Sequence, residues 1–402
     1  MIGINILFLT NDELSDLRSS GIFSDLLREF ALHGHSVYAV CANERRLGRE
    51  TELRQECGIN VLRVKTGNIT QVNVIEKGIS TLLVGHQFKM AIKKHLPRIK
   101  FDLVLYSTPP ITLLSVIEFV KRRDGAATYL LLKDIFPQNA VDIGLIKDNG
   151  LVHRYFRTIE KRFYQISDYI GCMSEGNCEY LLENNPEVDP AIVEVCPNSI
   201  KPFEVAMNAE QQGEIRRKFQ IPLDKTVFIY GGNLGKPQGI DFLAECLEAN
   251  GSNDKVHFVI AGSGTEFGRL KSFIDGKTLA NVQMFTKIPK CDYEMLVSAC
   301  DVGLIFLDHR FTIPNFPSRL LSYMNASIPI LAATDVNTDM GTVITKGQFG
   351  FWCESGNVEE FCIMMNRLCD PELRYQMGHN ARRFLEQHYT VERSYETIMK
   401  HF

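Results

Sequence analysis

Short apolar runs alternate with stretches of helical periodicity along almost the whole of this 402-residue chain. In the first half, the runs that predict strands cover residues 4–10, 37–41, 101–106, 128–132 and 169–173. In the second half, they cover residues 226–230, 256–261, 281–285, 302–306 and 328–332. Near-continuous apolar strands separated by helices are typical of parallel sheets with helices on both faces. The pattern therefore predicts an α/β protein.

A polar stretch near residues 200–224 interrupts this alternation, which then starts again. We expect two doubly wound, Rossmann-like domains at residues 1–200 and 201–387, with a last helix at about 388–402 that can pack back on the first domain. Ligands of such sheets bind beyond the carboxyl ends of the strands. Two such domains facing each other predict an interdomain cleft as the binding site.

The composition is that of an ordinary soluble protein, with 45% apolar and 23% charged residues. A net charge of −4 argues against a general nucleic-acid binder. None of the eleven cysteines forms a C-x-x-C pair, which predicts reduced thiols in a cytosolic protein. The apolar N-terminus is predicted to be a strand rather than a signal peptide, and no uncharged apolar stretch reaches 18 residues. Any membrane contact is therefore expected to be peripheral.

A glycine-rich segment, GGNLGKPQG at residues 231–239, follows the predicted strand at 226–230. Glycines let backbone N–H groups approach a ligand, and the next helix begins near Gly239 with its positive end toward any bound anion. Lys236 adds a full charge, so the segment predicts a phosphate site. A glycine turn used only for packing is the open alternative. The glycine spacing does not fit the dinucleotide fingerprint G-x-G-x-x-G.

Two further strand–helix junctions of the second half are also candidates for binding a phosphate. AGSGTE at residues 261–266 joins a strand to a helix, and a tight turn with a helix cap is the slightly favoured alternative. In PNFPSR at residues 314–319, Pro317 suits the first helical position. Ser318 and Arg319 can then meet a phosphate, although a surface arginine on a capped helix is the simpler reading.

The first half offers two candidates of its own. Residues 19–21, Ser-Ser-Gly, lie between the first strand and its helix, where a turn can bind an anion. Asp134 follows the strand at 128–132 and is expected at the cleft, where a carboxylate orients a hydroxyl or accepts a proton. A helix or turn cap is the alternative for Asp134. No D-x-D or H-E-x-x-H motif occurs, so a metal site of those types is not indicated.

Taken in order, these segments resemble the family 4 glycosyltransferases, retaining enzymes with the GT-B fold of two Rossmann-like domains. The segments are SSGIFSDLLREFALHGHSVYAV, YSTPP, KDIFPQ, VCPNSI, YGGNLGKPQGIDFL, IAGSGTE and PSRLLSYMNASIPIL. YSTPP with KDIFPQ and PSR is most similar to the branch that builds bacterial surface polysaccharides, including enzymes that handle N-acetylated amino sugars. The resemblance implies transfer of a sugar from a UDP-sugar, with retention at the anomeric carbon and no metal or other cofactor.

The resemblance also implies roles for single residues, with the donor in the second domain and the acceptor in the first. The implied donor-binding residues are Gly21, Asn198, Gly232, Asn233, Lys236, Gly262, Gly264, Ser318, Arg319 and Ser322. Of these, Gly232, Asn233 and Lys236 match the diphosphate loop of the family, and Gly262 and Gly264 match the loop beside the nucleotide base.

The remaining matches lie at the edges of the implied site. Ser318 and Arg319 match the helix start that faces the phosphates, and Gly21 matches a first-domain loop that approaches the diphosphate. Asn198 matches the segment between the domains, and Asp134 matches a cleft-facing acid of this branch. The implied catalytic residues are Asp134, Lys236 and Arg319. We expect Lys236→Ala and Arg319→Ala each to weaken donor binding by about 1.5–3 kcal/mol.

The chain departs from the family at several motif positions. Asn233 and Gln238 stand where many members have an arginine and a lysine, which leaves Lys236 as the cation of that loop. Pro314 and Ser322 stand where the family has two glutamates spaced E-x7-E. Because the second glutamate normally accepts the ribose hydroxyls, Ser322 is expected to supply a weaker, neutral hydrogen bond.

Basic residues are concentrated in the first half. Residues 60–165 contain 17 Lys and Arg against 8 Asp and Glu, a net of +9 in a chain whose total is −4. Helix C-terminal charge explains Lys121, Arg122 and Arg123. The remaining excess predicts peripheral contact with the anionic inner face of the cytoplasmic membrane, where a lipid-linked acceptor would lie.

The leading hypothesis is a cytoplasmic, retaining glycosyltransferase that moves a sugar, such as an N-acetylated amino sugar, from a UDP-sugar to a glycan or lipid-linked acceptor. A nucleotide-sugar epimerase of the same fold is a second hypothesis, although it requires converging acid and base groups and only Asp134 is a candidate. A non-catalytic partner protein with a degenerate donor site is the third, because Pro314 and Ser322 replace the family's glutamates.

Overall fold

The structure, a computed structural model, describes residues 3–69, 74–204, 207–286 and 288–402. The chain forms two compact units. The N-terminal unit comprises Met1–Lys201 and Val391–Phe402, and the C-terminal unit comprises Pro202–Thr390. The sequence places the boundary at 200/201 and starts the last helix near 388, whereas the units divide at 201/202 and at 390/391.

The N-terminal unit is built on an eight-stranded sheet in the order β3-β4-β2-β1-β5-β6-β7-β8. Its strands are β1 (Asn5–Thr10), β2 (Ser36–Glu44), β3 (Glu52–Glu56), β4 (Ile59–Thr66), β5 (Leu103–Thr108), β6 (Ala127–Leu132), β7 (Tyr169–Cys172) and β8 (Val193–Val195). Its helices are α1 (Ile22–Leu32), α2 (Val74–His95), α3 (Leu114–Asp124), α4 (Gln138–Asp142), α5 (Leu151–Ile166) and α6 (Glu175–Asn184). All pairings are parallel except that of β3 with β4.

The C-terminal unit has a six-stranded, wholly parallel sheet in the order β11-β10-β9-β12-β13-β14. Its strands are β9 (Thr226–Asn233), β10 (Val256–Ser263), β11 (Val282–Phe285), β12 (Val302–Phe306), β13 (Ile330–Thr334) and β14 (Gly350–Glu354). Its helices are α7 (Ala209–Lys218), α8 (Ile240–Ala249), α9 (Phe267–Lys277), α10 (Lys290–Ser298), α11 (Arg319–Asn325), α12 (Met340–Gly347), α13 (Val358–Arg367) and α14 (Pro371–His388).

A last helix, α15 (Val391–Met399), belongs to the N-terminal unit. Its buried residues Val391, Tyr395 and Ile398 follow a helical spacing and join the core that α1 also covers. The Tyr395 hydroxyl lies 3.0 Å from His35 Nε2, which fixes the helix against the loop after α1.

Each sheet reverses its strand order beside its first strand. In the N-terminal unit the reversal lies between β1 and β5, and in the C-terminal unit it lies between β9 and β12. Ligands of doubly wound sheets bind at such points, beyond the carboxyl ends of the strands. The predicted α/β class with two doubly wound domains is confirmed.

Four strands were not predicted: β3, β4, β8 and β14. The expectation of parallel pairing is wrong for β3, an edge strand of sequence ELRQE whose charged and polar residues hide its strand character. It is held to β4 by an ion pair in which Arg63 Nη1 lies 2.6 Å from Glu56 Oε1.

Candidate active site

Arg319 is a partly buried cation, with a buried Nη1 atom, at the sheet reversal of the C-terminal unit. Its guanidinium carbon lies 4.3 Å from the centre of the Tyr230 ring, and its Nη1 atom is inaccessible to solvent and has no hydrogen-bond partner. Among the described residues, no carboxylate forms an ion pair with it. An uncompensated buried charge is strongly destabilising, so the site is suited to an anionic ligand.

Gly232 forms the neighbouring wall of this site. Its backbone φ of +125° is one that side chains rarely adopt, and a Cβ atom there would lie 3.4 Å from Arg319 Nη2. The glycine therefore leaves the guanidinium open on the side where β9 ends.

Three tyrosines fix the end of β9 around Arg319. The Tyr323 hydroxyl accepts a hydrogen bond from the Gly231 N–H at 3.1 Å, and the Tyr230 hydroxyl donates to the Asn233 carbonyl at 2.8 Å. A Cβ atom on Gly231 would lie 1.7 Å from the Tyr293 hydroxyl, so Gly231 is required for packing. Burial raises the pKa of Tyr293 to about 12, so it stays protonated near neutral pH.

The two glycine segments predicted from sequence lie side by side. Gly232 pairs with Gly262 in the parallel register of β9 and β10, and a Cβ atom on Gly262 would lie 1.9 Å from the Gly232 carbonyl oxygen. A Cβ atom on Gly264 would lie 2.3 Å from the Leu234 carbonyl oxygen. Gly232 and Asn233 therefore lie in a strand rather than in a loop, and the close pairing itself requires Gly262 and Gly264.

Lys236 begins a short turn between β9 and α8. Its side chain is exposed, and it forms no ion pair with any described residue. Gln238 occupies the inside of the turn, where its Oε1 accepts from Asn233 Nδ2 at 3.3 Å and from the Gly235 N–H at 3.2 Å. Gly239 ends the turn with a φ of +53° beside the Leu307 carbonyl, which places it at the end of β12.

Two serines belong to α11. Ser318 is exposed and precedes Arg319, the first residue of the helix, so the helix begins two residues later than predicted from Pro317. Ser322 is half-buried within the same helix. The hydroxyl of neither serine forms a hydrogen bond with the described residues.

The predicted anion-binding turn of the N-terminal unit already has a carboxylate. The Gly21 N–H donates to Asp25 Oδ1 at 3.2 Å, and the Ser20 hydroxyl donates to Asp25 Oδ2 at 3.1 Å. Asp25 is buried and also accepts from the Lys201 N–H at 2.9 Å. The donors on which the prediction for Gly21 depended are therefore occupied by the protein's own side chain.

Asp134 follows β6, and Asn139 and the backbone of Ile135 form hydrogen bonds with its carboxyl group. Asn139 Nδ2 donates to Asp134 Oδ2 at 2.6 Å, whereas Oδ1 is inaccessible and has no hydrogen-bond partner. Burial raises the pKa of this carboxyl to about 6. A carboxyl group with a pKa near the working pH is suited to general acid–base chemistry.

Asn198 is buried, and its Oδ1 atom has no hydrogen-bond partner among the described residues. It lines a small cavity of the N-terminal unit together with Lys133, a residue to which the sequence analysis gave no role. The sequence did contain a signal for Lys133, because this residue lies directly before Asp134 at the end of a predicted strand. The described residues contain no group of three or more His, Cys, Asp or Glu side chains that could hold a metal ion.

Comparison with known sequences agrees with this geometry. Residues 211–384 match the family described as "Glycosyl transferases group 1". The chain is 24% identical over 319 residues to the probable glycosyltransferase WbjE of Pseudomonas aeruginosa, covering 79% of this chain and 78% of WbjE. It is 21% identical over 305 residues to WcaI of Escherichia coli K12, a putative colanic acid biosynthesis glycosyl transferase, covering 74% of this chain and 70% of WcaI.

A solved structure has the same overall fold. HepE of Anabaena, crystallised in complex with UDP and glucose, superposes with a TM-score of 0.69 at 14% identity. The likeness covers 99% of this chain and 98% of HepE.

Proposed function

Because this chain is a glycosyltransferase with the GT-B fold, and its residues 211–384 belong to group 1, we propose that it transfers a sugar from a UDP-sugar to a glycan or lipid-linked acceptor. The acceptor is a precursor of a cell-surface polysaccharide, by analogy with WcaI. The anomeric configuration of the sugar is retained. UDP is favoured because HepE, which has the same fold, was crystallised with it.

Arg319 is the observation that carries this proposal. Its unpartnered Nη1 atom and the open face left by Gly232 provide a planar pair of donors at the reversal of the sheet. A diphosphate supplies the missing counter-ion, and an arginine can bind it through two parallel hydrogen bonds. Stabilising the leaving diphosphate in this way lowers the barrier to breaking the glycosidic bond of the donor.

Two further groups add positive potential after the carboxyl end of β9. Lys236 is an exposed ammonium on the turn that follows β9, and the N-terminus of α8 contributes the positive end of a helix. These groups supply the charge that a metal ion provides in other nucleotide-sugar enzymes, so we propose that the reaction needs no metal.

Asp134 acts in the N-terminal unit, where we place the acceptor. Its Oδ1 atom lacks a hydrogen-bond partner among the described residues, and a small rotation of the side chain would let it accept one from a sugar hydroxyl. In its ionised form, the carboxylate orients that hydroxyl for reaction.

Calorimetric titration of UDP into wild type, Arg319→Met and Arg367→Met tests the donor site. Arg367 is a matched control, because its guanidinium also lies over an aromatic ring of the same unit, 4.2 Å from the Phe351 centroid. We expect Arg319→Met alone to weaken binding, by about 3 kcal/mol. Equal affinity in all three proteins would contradict the assignment.

Product analysis tests the reaction itself. Wild type is incubated with a panel of UDP-sugars and a lipid-linked acceptor, and the anomeric configuration of the product is read by NMR. We expect one sugar to be transferred with retention. An epimerised or hydrolysed donor without transfer, under conditions in which UDP binds, would reject the transferase assignment.

We also propose that α2 contacts an anionic membrane surface. Its outer face exposes the apolar side chains of Ile79, Leu82, Leu83 and Met90. Lys93 and Lys94 are exposed further along the same helix, and neither forms an ion pair within the described residues. Apolar and basic residues on one helix face are typical of helices that lie on anionic bilayers.

Two other basic residues of the N-terminal unit are neutralised within the protein. Lys121 pairs with Asp168 at 2.8 Å, and Arg157 pairs with Glu160 at 2.7 Å. We place the membrane contact on α2, because its exposed lysines lie on the same helix face as exposed apolar side chains. No helix of the described part of the chain is both long and apolar enough to cross a bilayer.

Vesicle flotation tests this contact. Lys93→Glu combined with Lys94→Glu is expected to weaken binding to vesicles of phosphatidylglycerol about thirtyfold, from about 1 kcal/mol for each lost basic residue. Lys255→Glu combined with Lys290→Glu, on exposed sites of the C-terminal unit, is the control. Equal binding of wild type to anionic and neutral vesicles would contradict the proposal.

A further inference from the structure

Lys133 is a second cation without a counter-ion, in the N-terminal unit. It follows β6 directly and lines a small cavity that opens to solvent and has room for about one water-sized group, such as a single oxygen of an anion. The cavity is otherwise lined by side chains of α1 and α15 and by residues that follow β8. Lys133 is the single charged residue among those that line it.

The ammonium group of Lys133 has little to bind. Its one hydrogen bond is a long contact of 3.4 Å to the Cys196 carbonyl oxygen, and no described carboxylate pairs with it. Asn198, on the same cavity, has a buried Oδ1 atom without a partner. By contrast, the two serines of the cavity satisfy each other, because Ser199 Oγ and Ser394 Oγ lie 2.7 Å apart.

The groups that surround the Lys133 ammonium do not balance its charge. Burial lowers the pKa of Lys133 to about 8. The neighbouring groups that favour its charged form are the thiols of Cys196 and Cys172, and burial raises the pKa of Cys196. A hydrogen bond from Cys178, together with burial, raises the pKa of Cys172. Both thiols are therefore neutral near pH 7 and do not balance the ammonium.

We propose that Lys133 and Asn198 form an oxyanion subsite that binds a negatively charged group of the acceptor, either a phosphate or a sugar carboxylate. The ammonium donates to the oxyanion, and the Asn198 carboxamide turns so that its Nδ2 donates as well. This inference rests on the proposed function, because it specifies the chemical class of the acceptor that the proposed transferase uses. Asp134 is the next residue along the chain, so the subsite places an anionic acceptor near the carboxyl group that orients its hydroxyl.

Titration of two simple anions tests the subsite. With UDP saturating the donor site, sulfate serves as the probe for a phosphate, because its charge does not change between pH 6 and 9, and glucuronate serves as the probe for a sugar carboxylate. We expect at least one of them to bind to wild type. Preference for sulfate would assign a phosphate-bearing acceptor, and preference for glucuronate would assign an acidic sugar.

Substitutions of the two subsite residues separate the subsite from other anion sites. Lys133→Met is expected to weaken binding of the preferred anion about tenfold to hundredfold. Lys147→Met, which removes an exposed lysine of the same unit, is expected to leave it unchanged. Asn198→Asp would place a carboxylate beside Lys133 as an internal counter-ion and is expected to abolish anion binding.

The design distinguishes failure of this inference from failure of the proposed function. UDP affinity is measured in Lys133→Met and Lys147→Met and is expected to remain at the wild-type value, because both lysines belong to the N-terminal unit. Sulfate and glucuronate that both fail to bind, or that bind equally to wild type and Lys133→Met while UDP still binds, would overturn the subsite and leave the donor site intact. Binding of the preferred anion is also expected to weaken as the pH rises through about 8, because Lys133 then loses its proton.

Discussion

Arg319 in the C-terminal unit and Lys133 in the N-terminal unit are both cations that lack a carboxylate partner among the described residues, yet their chemistry differs. Arg319 is charged at every accessible pH and presents a planar pair of donors. Burial lowers the pKa of Lys133 to about 8, so its charge can be lost under mild conditions. The difference predicts that binding of the donor diphosphate does not depend on pH, whereas binding of the acceptor anion does.

The largest expected effect separates turnover from donor binding. Asp134→Asn removes the carboxylate that orients the acceptor hydroxyl, and we expect kcat to fall at least about a hundredfold, as for other general acid–base groups. UDP affinity should not change, because Asp134 lies in the N-terminal unit. Steady-state kinetics and UDP titration measure the two quantities. Asp148→Asn, at an exposed site of the same unit, is the control, and full turnover by Asp134→Asn would show that the carboxylate has no role.

A second substitution tests whether the geometry of Arg319 matters as well as its charge. Arg319→Lys keeps one positive charge but cannot form two parallel hydrogen bonds, so we expect UDP affinity to fall about tenfold. Calorimetry measures this value, with Arg367→Lys as the control. An unchanged affinity would mean that the C-terminal cation acts as a point charge, and the contrast with Lys133 would lose its basis.

The pH dependence of kcat/KM should report the protonation states of Asp134 and Lys133, both in the N-terminal unit. Burial raises the pKa of Asp134 to about 6, so the reactive carboxylate forms as the pH rises through that value. Lys133 binds an anion when protonated, so activity should fall again above about pH 8. We expect a bell-shaped profile with limbs near 6 and 8. Lys133→Arg should extend activity to higher pH, and a profile that stays flat from pH 5 to 9 would contradict both assignments.

The smallest effect is expected at Lys236. The sequence suggested equal contributions from Lys236 and Arg319, but the structure separates them, because Lys236 is exposed and Arg319 Nη1 is buried. Exposed charges contribute at most about 1 kcal/mol, so Lys236→Ala should weaken UDP binding up to about fivefold. Lys255→Ala provides the control for a change in net charge. A loss as large as that of Arg319→Met would show that Lys236 closes onto the donor.

Much of the fold could be predicted because buried parallel strands leave a strong apolar signal. The strands that begin at Thr226, Val256 and Val302 were predicted at their first residues. The polar edge strand β3 could not be predicted in this way, because its pairing depends on β4 and on the Glu56–Arg63 ion pair.

The site was less accessible to sequence reasoning, because its character depends on contacts between distant residues. The sequence at Ser20 and Gly21 predicts an anion-binding turn, but in the structure Asp25 accepts the hydrogen bonds of both residues. Gly262 looks like a ligand-binding glycine until its distance from the Gly232 carbonyl is known. The isolation of Lys133 from every described carboxylate has no counterpart in a local motif.

A crystal structure with UDP tests the central claim most directly. The account predicts that a diphosphate oxygen lies about 2.7–2.9 Å from a nitrogen of the Arg319 guanidinium, in place of the missing counter-ion. UDP bound elsewhere in the C-terminal unit, or bound while the guanidinium remains without a phosphate contact, would contradict it.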